Sequence, residues 1–127
     1  MRRFSCTLAL LATLTSCAMH DTPSHEGALR HVVLFKFKEG TTPAQLKAIE
    51  ERFQGLPAKI PEIIDFEWGT DVSVENKAAG FTHCFLVTFR DTDGRDTYMP
   101  HPAHQDFVSL AGPAIDEVLV VDYFAAN

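Results

Sequence analysis

Residues 29–38 alternate strictly, with Leu29, His31, Val33, Phe35 and Phe37 on one side and Arg30, Val32, Leu34 and Lys36 on the other. A repeat of two predicts a strand with one almost wholly apolar face. Glu39-Gly40-Thr41 interrupts it. Thr42-Pro43-Ala44-Gln45 then reads as a helix start, with threonine as cap, proline in the first turn and glutamine reaching back. Leu46, Ile49, Phe53 and Leu56 follow at helical spacing; Lys47, Glu50, Glu51 and Arg52 take the outer face and Gly55 the exit. A second strand is predicted where Ile64, Phe66 and Trp68 alternate against Ile63, Asp65 and Glu67, ending at Gly69. Residues 81–90 predict a third, with Phe81, His83, Phe85, Val87 and Phe89 sharing a face. Asp91-Thr92-Asp93-Gly94 opens a short helix that ends near Met99, because the residue before Pro100 avoids helical geometry. Residues 103–111 predict another helix, stopped by Gly112-Pro113, and residues 115–124 the last strand.

The resulting order, β-α-β-β-α-β, is that of a ferredoxin-like α+β sandwich, with helices on one face of a four-stranded antiparallel sheet. The central strands are also apolar on their second face, through Val32 and Leu34 and through Cys84 and Leu86. Helices on one side leave that face wet. A symmetric homodimer with its two sheets facing each other would bury it.

The chain has 127 residues, room for one domain and a short leader. Arg2 and Arg3 precede an apolar run over residues 8–14, and Leu14-Thr15-Ser16-Cys17 follows. That run is too short to span a bilayer and reads as an export signal. The tetrapeptide resembles a bacterial lipoprotein signal. The resemblance implies cleavage after residue 16, lipidation of Cys17, a tether over residues 17–28 and a domain over residues 29–127. It places the domain in the bacterial cell envelope, on the periplasmic side. His20 and His25 fall in the tether and are read as bystanders. With Cys6 in the leader and Cys17 lipidated, Cys84 is left alone; no internal disulfide is expected, and Cys84 is read as a buried, inert thiol.

The whole chain carries a net charge of −6, and the acidic excess grows once the two leader arginines are gone. No basic stripe is available for nucleic acid, and the membrane would be engaged only through lipid at Cys17. Neither a Gly-rich phosphate loop nor a dinucleotide fingerprint is present, so no cofactor is expected.

The densest chemistry lies in Tyr98-Met99-Pro100-His101-Pro102-Ala103-His104. Removing a proton beside a carbonyl needs a base that titrates near neutral pH, which suits His104, and a donor to the developing enolate oxygen, which suits Tyr98. The two come from opposite sides of the proline corner, so the fold can bring them together. His31 and His83 share the parity of the apolar faces and point toward the same side of the sheet. Antiparallel strands need not bring their starting ends together, so one four-histidine cluster does not follow. Phe35, Phe37, Phe53, Phe85 and Phe107 would enclose an apolar or aromatic ligand, with His31, His83 and His101 adding polar contacts. His101 and His104 are spaced for a metal but lack a third ligand nearby, so no side-chain metal site is expected there; a metal held by backbone carbonyls leaves no mark in the sequence and stays open.

Three segments together resemble the stress-responsive A/B barrel (Dabb) family. They are residues 29–38, then Trp68-Gly69-Thr70-Asp71 with Gly80-Phe81-Thr82-His83, and then residues 98–107 closed by Asp122-Tyr123. The resemblance implies a ferredoxin-like subunit, pairing into a dimeric α+β barrel, with a pocket between sheet and helices. In one plant branch the histidine matching His104 is the proposed general base of a polyketide cyclase and the tyrosine matching Tyr98 its partner; histidines matching His31 and His83 lie on the pocket wall. Three functional readings stay open: a binding site for a small apolar or aromatic molecule, a cyclase-like or lyase-like enzyme using His104 as base, and a non-catalytic stress-related dimer.

Overall fold

β1 (Leu29–Phe37) lies inside a four-stranded sheet ordered β2-β3-β1-β4, in which every neighbouring pair is antiparallel. The computed structural model describes residues 25–126; the leader, Cys17, His20 and the first part of the tether lie outside the described residues. The remaining elements are α1 (Pro43–Gln54), β2 (Ile63–Thr70), β3 (His83–Phe89), α2 (Thr92–Tyr98), α3 (Pro102–Ala111), a 3-10 turn (Gly112–Ala114) and β4 (Ile115–Phe124). This is the ferredoxin-like α+β arrangement. Its second helical arm is broken into α2 and α3 by the Pro100-His101-Pro102 corner.

Local signals set the element boundaries. The Gln45 backbone N–H donates to Thr42 Oγ1 at 3.2 Å, and the Thr42 N–H donates to Gln45 Oε1 at 2.8 Å, closing the capping box expected for α1. α2 is capped by Asp91, whose carboxylate accepts from the Gly94 N–H at 3.0 Å. The core sits between sheet and helices. Leu29, Val33 and Phe35 from β1 meet Ile49 and Phe53 from α1, Phe85, Val87 and Phe89 from β3, and Phe107 from α3, all at most 6% exposed. At its centre Phe53 packs against Phe85 and Phe107 with ring centroids 4.3 and 4.4 Å apart.

Three expectations change here. Ile63, expected opposite Phe66 and Trp68, is buried in the same core; a register shift between Ile63 and Asp65 turns it inward. Cys84 is exposed rather than buried, because its parity puts it on the face of the sheet away from the helices. Glu50 is not a solvent-facing residue of α1: its carboxylate turns onto the sheet and accepts from His83 Nε2 at 3.0 Å.

The face away from the helices carries Val32, Leu34 and Leu86, joined across the register by Leu119, Val121 and Tyr123 of β4, which are 42%, 48% and 46% exposed. An apolar surface of this continuity marks a contact site.

Candidate functional site

β1 and β4 on one side and α1, α2 and α3 on the other enclose a cavity of about 550 Å³, within the roughly 300–1,000 Å³ typical of small-molecule sites. Phe35, Phe53 and Phe107 form its apolar interior, and Val118 and Val120 of β4 its half-open rim. The polar members of the wall are His31, Arg95, Tyr98, His104 and Asp122.

Tyr98 and His104 meet with ring centroids 4.2 Å apart. They do so because Tyr98 ends α2, His104 lies in the first turn of α3, and the proline corner folds one onto the other. His104 Nδ1 lies 2.8 Å from the Met99 carbonyl oxygen. A carbonyl only accepts, so Nδ1 carries the hydrogen and Nε2 keeps the lone pair. Burial holds the His104 imidazole below the ordinary histidine value of 6.5; the Met99 hydrogen bond acts in the opposite direction, and His31 and His101 add smaller like-charge effects. The ring is therefore neutral at pH 7, with Nε2 ready to accept a proton. Tyr98 is 1% exposed, and burial pushes its phenol well above the usual range, so it stays a hydrogen-bond donor.

On the other side of Tyr98, 5.8 Å between centroids, stands His31. Its Nδ1 donates to Asp122 Oδ1 at 2.6 Å, and Arg95 Nη1 donates to Asp122 Oδ2 at 3.0 Å. Neither Arg95 nor Asp122 is among the site residues that the sequence pattern points to. Asp122 had a signal. It shares the parity of Val118 and Val120 in an otherwise apolar strand and pairs with His31 in register.

Four expected ligand contacts lie elsewhere. His83 is at the opposite end of the sheet, 6% exposed, its ring stacked at 6.1 Å on Trp68 and tied to Glu50; β1 and β3 run antiparallel, so their first residues are far apart. His101 caps α3: its Nδ1 accepts from the Ala103 N–H at 3.1 Å, which turns it away from the cavity. Phe85 lies behind Phe35 and Phe53 in the closed core, and Phe37 packs edge-on against His83 at 5.0 Å. Among the described residues no cluster of three or more His, Cys, Asp or Glu is arranged to hold a metal.

The chain resembles known proteins over this same domain. It is 37% identical over 98 residues to the stress-response A/B barrel domain-containing protein HS1 of Arabidopsis thaliana, covering 77% of this chain and 90% of that protein. It is 34% identical over 96 residues to olivetolic acid cyclase of Cannabis sativa, covering 76% and 95%. Among solved structures, hydroxynitrile lyase from Passiflora edulis superposes with a TM-score of 0.74 at 28% identity, covering 78% of this chain and 94% of that one. A dimeric ferredoxin-like protein of unknown function from Jannaschia sp. superposes with a TM-score of 0.68 at 27% identity, covering 76% and 98%. The profile of the stress responsive A/B barrel domain matches residues 29–125, and the chain belongs to that family, Dabb.

Proposed function

We propose that the cavity binds a small apolar or aromatic carbonyl compound and moves a proton on it, in a cyclase-like or lyase-like reaction with His104 as general base and Tyr98 as donor to the carbonyl oxygen. One observation carries this reading. His104 spends Nδ1–H on the Met99 carbonyl, so the nitrogen left over in a neutral ring is a base and not a donor. The apolar walls supply affinity, and the resemblance to a cyclase and a lyase supports the class of chemistry.

The test is proton exchange on a simple aryl ketone. The full chain, incubated with acetophenone in D2O, is expected to place deuterium on the methyl carbon faster than buffer does. His104→Ala should lower that rate by about 100-fold or more while weakening acetophenone binding only modestly. Binding without exchange would favour the purely binding reading; neither binding nor exchange would sink both and favour the non-catalytic dimer.

The same proposal covers assembly and location. The chain forms a homodimer through the helix-free face of its sheet, and it is held in a bacterial envelope membrane by lipid on Cys17, with the domain on the periplasmic side. The apolar back of the sheet and the dimeric neighbour support the first part, and the Leu14-Thr15-Ser16-Cys17 pattern supports the second. Expressed in bacteria, the full chain should fractionate with membranes and Cys17→Ala should not; a membrane-bound Cys17→Ala would rule the anchor out.

A further inference from the structure

His31, Asp122 and Arg95 form a continuous chain of hydrogen bonds along the cavity wall that the His104–Tyr98 pair does not require. His31 is 6% exposed, and its Nδ1 donates to Asp122 Oδ1 at 2.6 Å. The second oxygen of the same carboxylate takes Arg95 Nη1 at 3.0 Å, and Arg95 is itself steadied by Asp96 through Nη2 at 2.8 Å. The carboxylate is thus gripped from both sides and cannot rotate away from the imidazole. The groups facing His31 are Asp122 from β4, Arg95 and Tyr98 from α2, His104 from α3 and the Phe89 ring from β3. Of these, Asp122 is the group to which His31 is hydrogen-bonded.

We infer that Arg95 and Asp122 are positioning residues that lock His31 with Nδ1–H on the carboxylate and Nε2 left for the cavity, making His31 a second proton carrier opposite His104. The inference rests on the proton-transfer reading above and adds the group that handles the second proton. His104 Nε2 takes the proton from the carbon beside the carbonyl. The C–H electron pair becomes the new carbon–carbon π bond, and the carbonyl π pair moves onto oxygen. When His31 also carries a proton on Nε2, with Nδ1–H still on Asp122, it gives that Nε2 proton to the oxygen. The products are the enol, a cationic His104 and a neutral His31, and the reverse step restores all three without any other reactant.

Substitution at Asp122 gives a sharp test, because Arg95 dictates how an amide would sit there. In Asp122→Asn the side-chain oxygen must face the Arg95 donor, which turns the NH2 toward His31 and forces its Nδ1 to accept. The His31 tautomer should invert. Imidazole 15N spectra of the full chain read this directly, and deuterium incorporation into acetophenone reads its consequence. We expect Nδ1 of His31 to keep its hydrogen in the wild type whether or not Nε2 is protonated, the neutral ring to be the Nε2–H tautomer in Asp122→Asn, and exchange about 100-fold slower in the variant at unchanged acetophenone affinity. Arg95→Gln should slow exchange about tenfold, with partial rescue by Arg95→Lys, and this arm stands if Asp122→Asn fails to fold. A His31 tautomer unmoved by Asp122→Asn, or inverted with no loss of exchange, would overturn the inference, as would full activity in Arg95→Gln. A wild type that exchanges no faster than buffer would instead defeat the proton-transfer reading, while the tautomer measurement would still decide whether Arg95 and Asp122 set the state of His31.

Discussion

His104 is a buried residue asked to stay uncharged. Water would hydrate its imidazolium in the unfolded chain; inside the fold that hydration is lost, and the single Met99 acceptor does not make it up. The folded ring consequently binds a proton less readily than the unfolded one. Between the two titration points the unfolded state holds more protons, so stability rises with pH there. Above the ordinary value of 6.5 this residue adds no pH dependence; as pH falls through 6.5 toward the lower value of the folded ring, stability is progressively lost. Melting temperature followed from pH 8 to pH 4 should therefore drop on the acid side, and His104→Gln, which cannot titrate, should flatten that drop. An unchanged slope in His104→Gln would mean that other groups carry it. Exchange activity should fade over the same acid range, since a protonated Nε2 has no lone pair to offer.

At the scale of elements, the sequence was legible wherever the cause is local. Period-two alternation, the Thr42–Gln45 capping box and the proline corner each act within a few residues, and each element they predict is present. Tyr98 and His104 could be paired for the same reason, being six residues apart across one corner. Glu50, Arg95 and Asp122 were not read as site residues, because their roles depend on long-range placement: how α1 rolls on the sheet, how α2 lies over β4, and the exact register that sets Asp122 beside His31. His101 shows how a chemically suggestive residue can be serving its own helix. With φ −60° and ψ 135° it is an N-cap, its ring nitrogen satisfying one of the free N–H groups at the start of α3. His101→Ala should cost about 1 kcal/mol of stability, and His101→Asn, a strong capping residue, should retain most of it. Denaturant unfolding of the two variants decides this: equal losses would mean that the imidazole matters for something besides the cap.

For the whole molecule, the sheet has a wet apolar back only if the chain stays alone. β4 is an edge strand, bonded to β1 on one side, with Val118 and Val120 exposed toward the cavity and Leu119, Val121 and Tyr123 exposed on the back. The back residues continue through Val32, Leu34 and Leu86, and the belt is bounded at one end by the Lys36 pair with Glu117, 2.7 Å apart, and at the other by Arg30 on the Thr88 hydroxyl at 2.6 Å. An apolar centre with a charged and polar rim is the anatomy of a stable interface. Isologous pairing buries the same patch of both subunits, so one substitution introduces two charges into the interface. Leu119→Lys is suited to this test, because at 42% exposure Leu119 contributes little to the interior of one subunit. Sedimentation should give a dimer for the wild type and a monomer for Leu119→Lys, with the circular dichroism of the two alike. A wild type that sediments as a monomer at micromolar concentration would remove the dimer, and the exposed back would then need a different partner. A dimer that survives Leu119→Lys would locate the interface on another surface. Because the cavity lies on the helical side, the Leu119→Lys monomer should still bind acetophenone, which separates the role of the dimer from that of the site.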